Sequence, residues 1–371
     1  MANNSTELYL YNDTRLNQAN APWFTHEYIN YFSLLPHSWM LDLNPVKVQD
    51  NPNYGNWEVG PDHVNIYKEK AKSTRNIKKF EAHDIALRNA NYSTNIPESI
   101  SIKPWKIIIY YSTVPDLDLD CGLDLHPLQD LTGGSHGHRH MQFKLFFKTV
   151  GCTEKCFSHY FNETLKAWKD KNQYWGYRYL SRATHYLADL GHPFHVKVAP
   201  YSKLFKYLFR LKNFKKYLTA AHNGHEVYVQ YRLRQGFSPF KKAIQRGSSQ
   251  GSEEAKSQPI KKLENILQKI KEYRKHSAKL LKPMFNAIIE GFGEDLIACY
   301  NVDELKPEYQ KLDYSKQCMM MEHKAQKVIF RDEHHNSLKK LDHLTEDALY
   351  EVGYMLGYLY GILKNKLPNP N

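Results

Sequence analysis

Two short stretches of this chain place metal-ligating side chains at the spacing of a helical turn. In ATHYLADLGHPFH, His185 and Asp189 are four residues apart, so on a helix both leave one face about one turn from each other. His195 lies six residues further on, past Pro193, where the chain can swing it back toward that face. Downstream, AAHNGHEVYVQYRL repeats the pattern with His222 and Glu226. An imidazole and a carboxylate one turn apart are what a helix uses to grip a divalent ion such as Zn2+. One His-x3-Asp pair is more often a surface pair or a capped core residue. Two pairs, with a histidine between them and Tyr186, Leu187, Leu190, Val227 and Val229 around them, point to ligation instead. Buried imidazoles and carboxylates are costly, and a shared metal satisfies several at once.

The order His-x3-Asp-x5-His followed by His-x3-Glu resembles the zinc-dependent phospholipase C family, whose superfamily also contains single-strand-specific zinc nucleases. The resemblance covers roughly residues 23–235 and is strongest over 174–230. It implies an all-helical fold with clustered zinc ions in a cleft. Position by position, His185 and Asp189 resemble ligands of one zinc, with Asp189 bridging to another, and His195, His222 and Glu226 resemble the protein ligands of a further one. Asp116, in STVPD, stands where the family places its upstream Asp, with Asp118 and Asp120 as rivals; a Pro-Asp pair is also common in ordinary turns. His140, directly before the next helical stretch, is similar in placement to the family's upstream His, with His138 and His136 close by. His26, in WFTHEYI, resembles the N-terminal ligand, and His83 competes with it. In the family an N-terminal Trp binds zinc through its own amine and carbonyl. Trp23 is internal, so the resemblance implies two to three ions, the third depending on removal of residues 1–22.

By the same resemblance the reaction is phosphodiester hydrolysis. Clustered zinc lowers the pKa of a bound water and neutralises charge on the phosphodiester. Asp116 is then a ligand first and a candidate catalytic group that orients or deprotonates the water. The segment SKLFKYLFRLKNFKKYL, which contains 203–218, mixes Lys203, Lys206, Arg210 and Lys212 with Leu204, Phe205, Leu208 and Phe209. Such an element suits peripheral contact with an anionic membrane and makes a phospholipid the favoured substrate. Single-stranded nucleic acid, tracked by charge and stacking, is the less favoured partner. An ordinary helix with a solvated basic face has the same composition.

The elements that must position these residues read as mostly helical. With 371 residues the chain is long enough for a well-buried core, and it is expected to form one all-α, multi-helix domain over 22–365 with long loop insertions, after a polar tail at 1–21. No run reaches the ~18 apolar residues of a membrane span, and the N-terminus lacks a signal-peptide pattern, so the expectation is a cytoplasmic protein that touches membranes peripherally. A formal charge of +12 favours anionic partners without selecting one. Five cysteines do not form a disulfide framework, and Cys152 and Cys156, four apart, suit one helical face better than a zinc knuckle.

A helix is predicted from Thr25 until Pro36, and others over 76–95, 140–150, 153–171, 174–191, 260–291 and 343–364. The run IIIYY fits a strand or a buried helix. QRGSSQGSEEAKSQP, at 245–259, reads as a disordered loop from its Gly, Ser and charge content. His83-Asp84 also looks like the doublet of HD-type phosphohydrolases, a reading that leaves the downstream pairs unexplained. A catalytically inactive, metal-stabilised binding module is a third reading, since a fold does not fix a function.

Overall fold

The computed structural model describes residues 25–47, 49, 101–116, 126, 129–132, 134–145, 147–197, 211–257, 263–300, 321, 324–329 and 336–364. Helix α1 spans Thr25–Leu34 and short α2 spans Ser38–Asp42. Strands β1 (Val46–Lys47) and β2 (Ser101–Ile102) form a minimal antiparallel pair before α3 (Pro104–Tyr111). The IIIYY run lies in α3: Pro104 supplies the start, and Ile107, Ile108 and Ile109 are all buried, so this is a helix enclosed on several sides. A 3-10 turn, Val114–Asp116, follows it.

Helix α4 (Ser135–His140) leads into β3 (Gln142–Leu145) and β4 (Lys148–Gly151), an antiparallel hairpin with Phe143 opposite Val150. The helix predicted over 140–150 is therefore corrected. QFKL and KTVG carry the aromatic and β-branched residues Phe143, Thr149 and Val150 that favour strands, and Phe143 and Val150 are buried opposite each other. The hairpin is tied to the body where Arg274 donates to the carbonyl of Gln142 at 2.8 Å.

Helices α5 (Thr153–Lys169) and α6 (Gln173–Asp189) are joined through Lys171, at φ 61°, and the side chain of Asn172 caps α6 by accepting from the Trp175 N–H at 3.1 Å. Every residue of α6 from Tyr174 to Asp189 is buried, which makes it the central helix. Short α7 (Pro193–Val196) follows, then α8 (Leu211–Arg234), α9 (Ser238–Ser257), α10 (Leu263–Cys299) and α11 (Asn336–Lys364). Helix α10 runs past the predicted 291 and kinks at Gly293, φ 61°.

The disordered loop expected at 245–259 is also corrected, because residues up to Ser257 belong to α9. Its Gly and Ser content reflects packing. Gly247, Ser248, Gly251, Ser252 and Ala255 are buried along one face, spaced by four, against Gly353, Gly357 and Gly361 of α11. A Cβ at Gly251 would stand 1.9 Å from the Tyr354 carbonyl oxygen, and one at Gly357 the same distance from that of Ser248. Two helix backbones meet only where side chains are absent. The seam also holds α1: His37 donates to Ser248 Oγ at 2.8 Å, Ser248 donates to the Ser33 carbonyl at 2.6 Å, and Tyr360 donates to Asn30 at 3.2 Å.

One apolar core runs from α1 to α11, and the protein is an all-α domain with, among the described residues, two small antiparallel two-stranded sheets. None of the described helices is long and apolar enough to cross a membrane. His83, Asp84, Trp23, the predicted 76–95 helix and residues 203–210 of the basic 203–218 segment lie outside the described residues.

Candidate metal centre

Six separate elements deliver ligating side chains to one buried region. His26 comes from α1, Asp116 from the 3-10 turn behind α3, and His140 from the last position of α4. Central α6 contributes His185 and Asp189, the turn into α7 contributes His192 and His195, and α8 contributes His222 and Glu226. The tight exit from α6 allows this: a Cβ at Gly191 would lie 1.8 Å from the Tyr273 hydroxyl, so glycine lets the chain turn against α10 and aim His195 back.

These side chains fall into three groups in which potential ligand atoms lie within 4.8 Å of one another: Asp116, His140 and His185; His26, His185 and Asp189; His192, His195, His222 and Glu226. Asp189 sits between them. One of its oxygens faces His140 Nδ1 at 2.8 Å and His185 Nε2 at 3.3 Å; the other faces His195 Nδ1 at 3.1 Å and His26 Nε2 at 3.6 Å. Asp116 Oδ1 stands 3.5 Å from both His140 Nδ1 and His185 Nε2, which are themselves 3.0 Å apart. On the other side His195 Nε2, His222 Nε2 and Glu226 Oε1 are separated by 2.9, 3.2 and 3.2 Å.

These distances test whether the residues fit a metal. Four ligands placed ~2.0–2.1 Å from a tetrahedral centre stand about 3.3 Å from each other. The separations within the Asp116–His140–His185–Asp189 set, 2.8 to 3.5 Å, bracket that value. The outward nitrogens are arranged for ligation as well. His185 Nδ1 donates to the Ser112 carbonyl at 2.7 Å and His140 Nε2 to the Pro115 carbonyl at 3.3 Å. A carbonyl can only accept, so in the neutral rings His185 Nε2 and His140 Nδ1 turn lone pairs inward. Asp189 beside His195 Nδ1 makes the carboxylate–histidine arrangement that orients metal ligands. The buried His and carboxylate groups can hold metal ions.

The electrostatics describe a buried cluster in which positive charge is stabilised. Asp189 is 2% exposed and His185 is 0% exposed. Burial disfavours the charge on Asp189, yet His185, His140 and His195 hold its carboxyl well below the usual range. Burial likewise opposes ionised Glu226, and His222 with His195 overcomes it. Burial works against a proton on His195, but Asp189 and Glu226 push it up to about 10; Asp116 and Asp189 similarly raise His185. His26, by contrast, is lowered to about 3 by burial and then by His185, against which it stacks at 3.8 Å. Protonated rings thus occupy the electrostatic role that metal cations would take.

All eight residues singled out in the sequence, His26, Asp116, His140, His185, Asp189, His195, His222 and Glu226, lie in this cluster. His138 is buried against His126 and belongs to none of the three groups; the His136 side chain lies outside the described residues. Two further histidines enter that the spacing argument passed over. His192 joins the third group, and His225 bonds it from behind, Nδ1 to His192 Nε2 at 3.0 Å. GHPFH and HNGHE each carried a second histidine three residues from the first or last ligand, which is the signal that was available. Cys152 and Cys156 are buried, with their sulfurs 3.7 Å apart, and belong to none of the three groups. Compared with known proteins, the chain is matched by no family model, no curated protein and no solved structure.

Proposed function

We propose that the protein is a zinc-dependent phosphodiester hydrolase, similar to the phospholipase C family, acting on phospholipids. One observation carries the reading: the two oxygens of Asp189 face opposite ways, each toward a different set of histidines, at the meeting point of three ligand groups. Such a bridging carboxylate is what adjacent metal ions share. The donor set of imidazole nitrogen and carboxylate oxygen suits Zn2+. Bound there, zinc supplies Lewis acidity toward a phosphodiester and a nucleophile near neutral pH.

His140, His185, Asp116 and Asp189 would hold one ion, His195, His222 and Glu226 another, and His26 with Asp189 the third, weaker one. Ser112 and Pro115 carbonyls orient the His185 and His140 rings, and Asp189 orients His195. Asp116, on the turn after α3, is the carboxylate placed to take a proton at Oδ1 or to ligate through it. A lipid substrate is favoured over nucleic acid by the hairpin next to His140. Phe147 at its tip is fully exposed and flanked by exposed Lys144 and Lys148, an apolar anchor with cations suited to an anionic bilayer.

Elemental analysis with a chromogenic phosphodiester assay tests the reading. Two to three zinc per chain with turnover, abolished by a chelator and restored by zinc, is expected. A single tightly held zinc without turnover would identify a metal-stabilised binding module and end the hydrolase proposal.

A further inference from the structure

We infer that His192 is a fourth protein ligand of the ion held by His195, His222 and Glu226, fixed from behind by a His225–Thr345 relay. This rests on the metal-dependent reading above and goes beyond it, because the resemblance to the phospholipase C family implied only three protein ligands at this position.

Three observations meet at His192. A potential ligand nitrogen of His192 lies within 4.8 Å of those of His195, His222 and Glu226, and its ring centroid is 4.6 Å from that of His195 and 5.3 Å from that of His222. Its Nε2 is engaged by His225 Nδ1 at 3.0 Å, and His225 Nε2 reaches Thr345 Oγ1 at 3.1 Å on α11. Its Nδ1 is buried with no hydrogen-bond partner among the described residues.

One proton arrangement satisfies all three. His225 donates from Nε2 to the threonine hydroxyl, accepts at Nδ1 from His192 Nε2–H, and leaves His192 Nδ1 as a bare lone pair. A histidine that donates its outer N–H to a fixed acceptor while presenting the other nitrogen is the usual state of a metal-bound imidazole. Thr345 and His225 are both buried, so the relay is shielded from solvent.

The consequence concerns how this ion is held. Three imidazoles and a carboxylate complete a tetrahedral shell, and a site closed by protein ligands retains its ion more firmly than one that keeps an open position. The ion on the Glu226 side is therefore held by as many protein ligands as the one on the Asp116 side, and the readily exchanged position is the one between His26 and Asp189.

The test is timed metal release from the full chain, loaded with zinc and challenged with a chromogenic chelator, together with the visible spectrum of the cobalt-substituted protein. Wild type should release its ions in phases, the one between His26 and Asp189 first and the two four-ligand ions slowly. His192→Ala should accelerate one of the two slow releases by roughly 100-fold or more and weaken the tetrahedral cobalt bands, leaving the other releases in place. Thr345→Val, remote from the ion, should accelerate the same release by about 10-fold, the lower end of outer-shell effects, and Thr345→Ser should restore wild-type release. Unchanged release and cobalt spectrum in His192→Ala overturn the inference while leaving the hydrolase reading intact. If that variant does not fold, equal release from the Val and Ser variants at 345 overturns it instead. A wild-type chain that takes up no zinc or cobalt refutes both readings together.

Discussion

The metal centre and the α9–α11 seam solve opposite packing problems with opposite residues. Around Asp189, ionisable side chains from α1, α6, α7 and α8 are crowded to within about a hydrogen bond of each other. Between α9 and α11 the residues are so small that carbonyl oxygens fill the space where side chains would be. The seam is complete without any ligand, since dispersion and backbone contact satisfy it. The centre is satisfied only by protons or metal cations. Yet the two are connected: Ser248 on the seam fixes His37 and Ser33, which carry α1 and with it His26, while Thr345 of α11 holds His225. The seam is the frame, and the ionisable cluster is what it frames.

Asp189→Asn should have the largest effect on function. On the proposed reading, replacing this carboxylate by an amide would remove a ligand from more than one ion at once, so phosphodiester turnover should fall by more than the ~100-fold that even outer-shell changes cause. Folding should survive, because an amide fills the same volume; measuring zinc content beside the circular dichroism spectrum checks both halves. Gly251→Leu should do the reverse. Even a Cβ meets the Tyr354 carbonyl, so the loss of stability should reach or exceed the upper end of the ~1–3 kcal/mol typical of overpacking. Chemical denaturation should show that loss equally in zinc-loaded and stripped protein.

A smaller, pH-dependent effect separates the regions without mutation. His26 and His225 are lowered to about 3, chiefly by burial, whereas unfolded histidine titrates near 6.5. The unfolded chain therefore binds more protons below 6.5, and stripped protein loses stability as pH falls from 6.5 toward 3. His195 has the opposite sign: held up to about 10, it contributes fully below 6.5 and loses that contribution as pH rises through 10. Zinc needs the ligating imidazoles unprotonated, so the melting-temperature gap between loaded and stripped protein should widen from pH 6.5 to 9. A gap that narrowed over that range would argue against histidine ligation. The smallest effect on the fold should come from Phe147→Ser, within ~0.5 kcal/mol because the side chain is exposed. Turnover of a soluble diester should stay unchanged while binding to anionic vesicles weakens.

Legibility in the sequence followed the range of the interactions involved. His185 with Asp189 and His222 with Glu226 were readable because a helical period is local: four residues return the chain to one face. Asp116 and His140 were less so, since rivals at His136 and His138 differ only in how α4 is set against α6. The strand pair at 142–151 was misread because its apolar run is short enough to suit either period. Residues 245–257 were misread because composition registers Gly and Ser as disorder, whereas their spacing of four registers a packed face only once a partner such as α11 is known.

The amino-acid order by itself determined which side chains were available, that they lay on helices, and that two His-carboxylate pairs each shared a face, because these follow from local backbone geometry and the chemistry of the side chains. Only tertiary structure decided that residues as distant as His26 and Glu226 stand together, that Asp189 faces two groups at once, and that His192 joins them through His225 and Thr345. Those outcomes depend on how closely helices approach, and that distance is set by the glycine and serine faces of elements far from the centre along the chain.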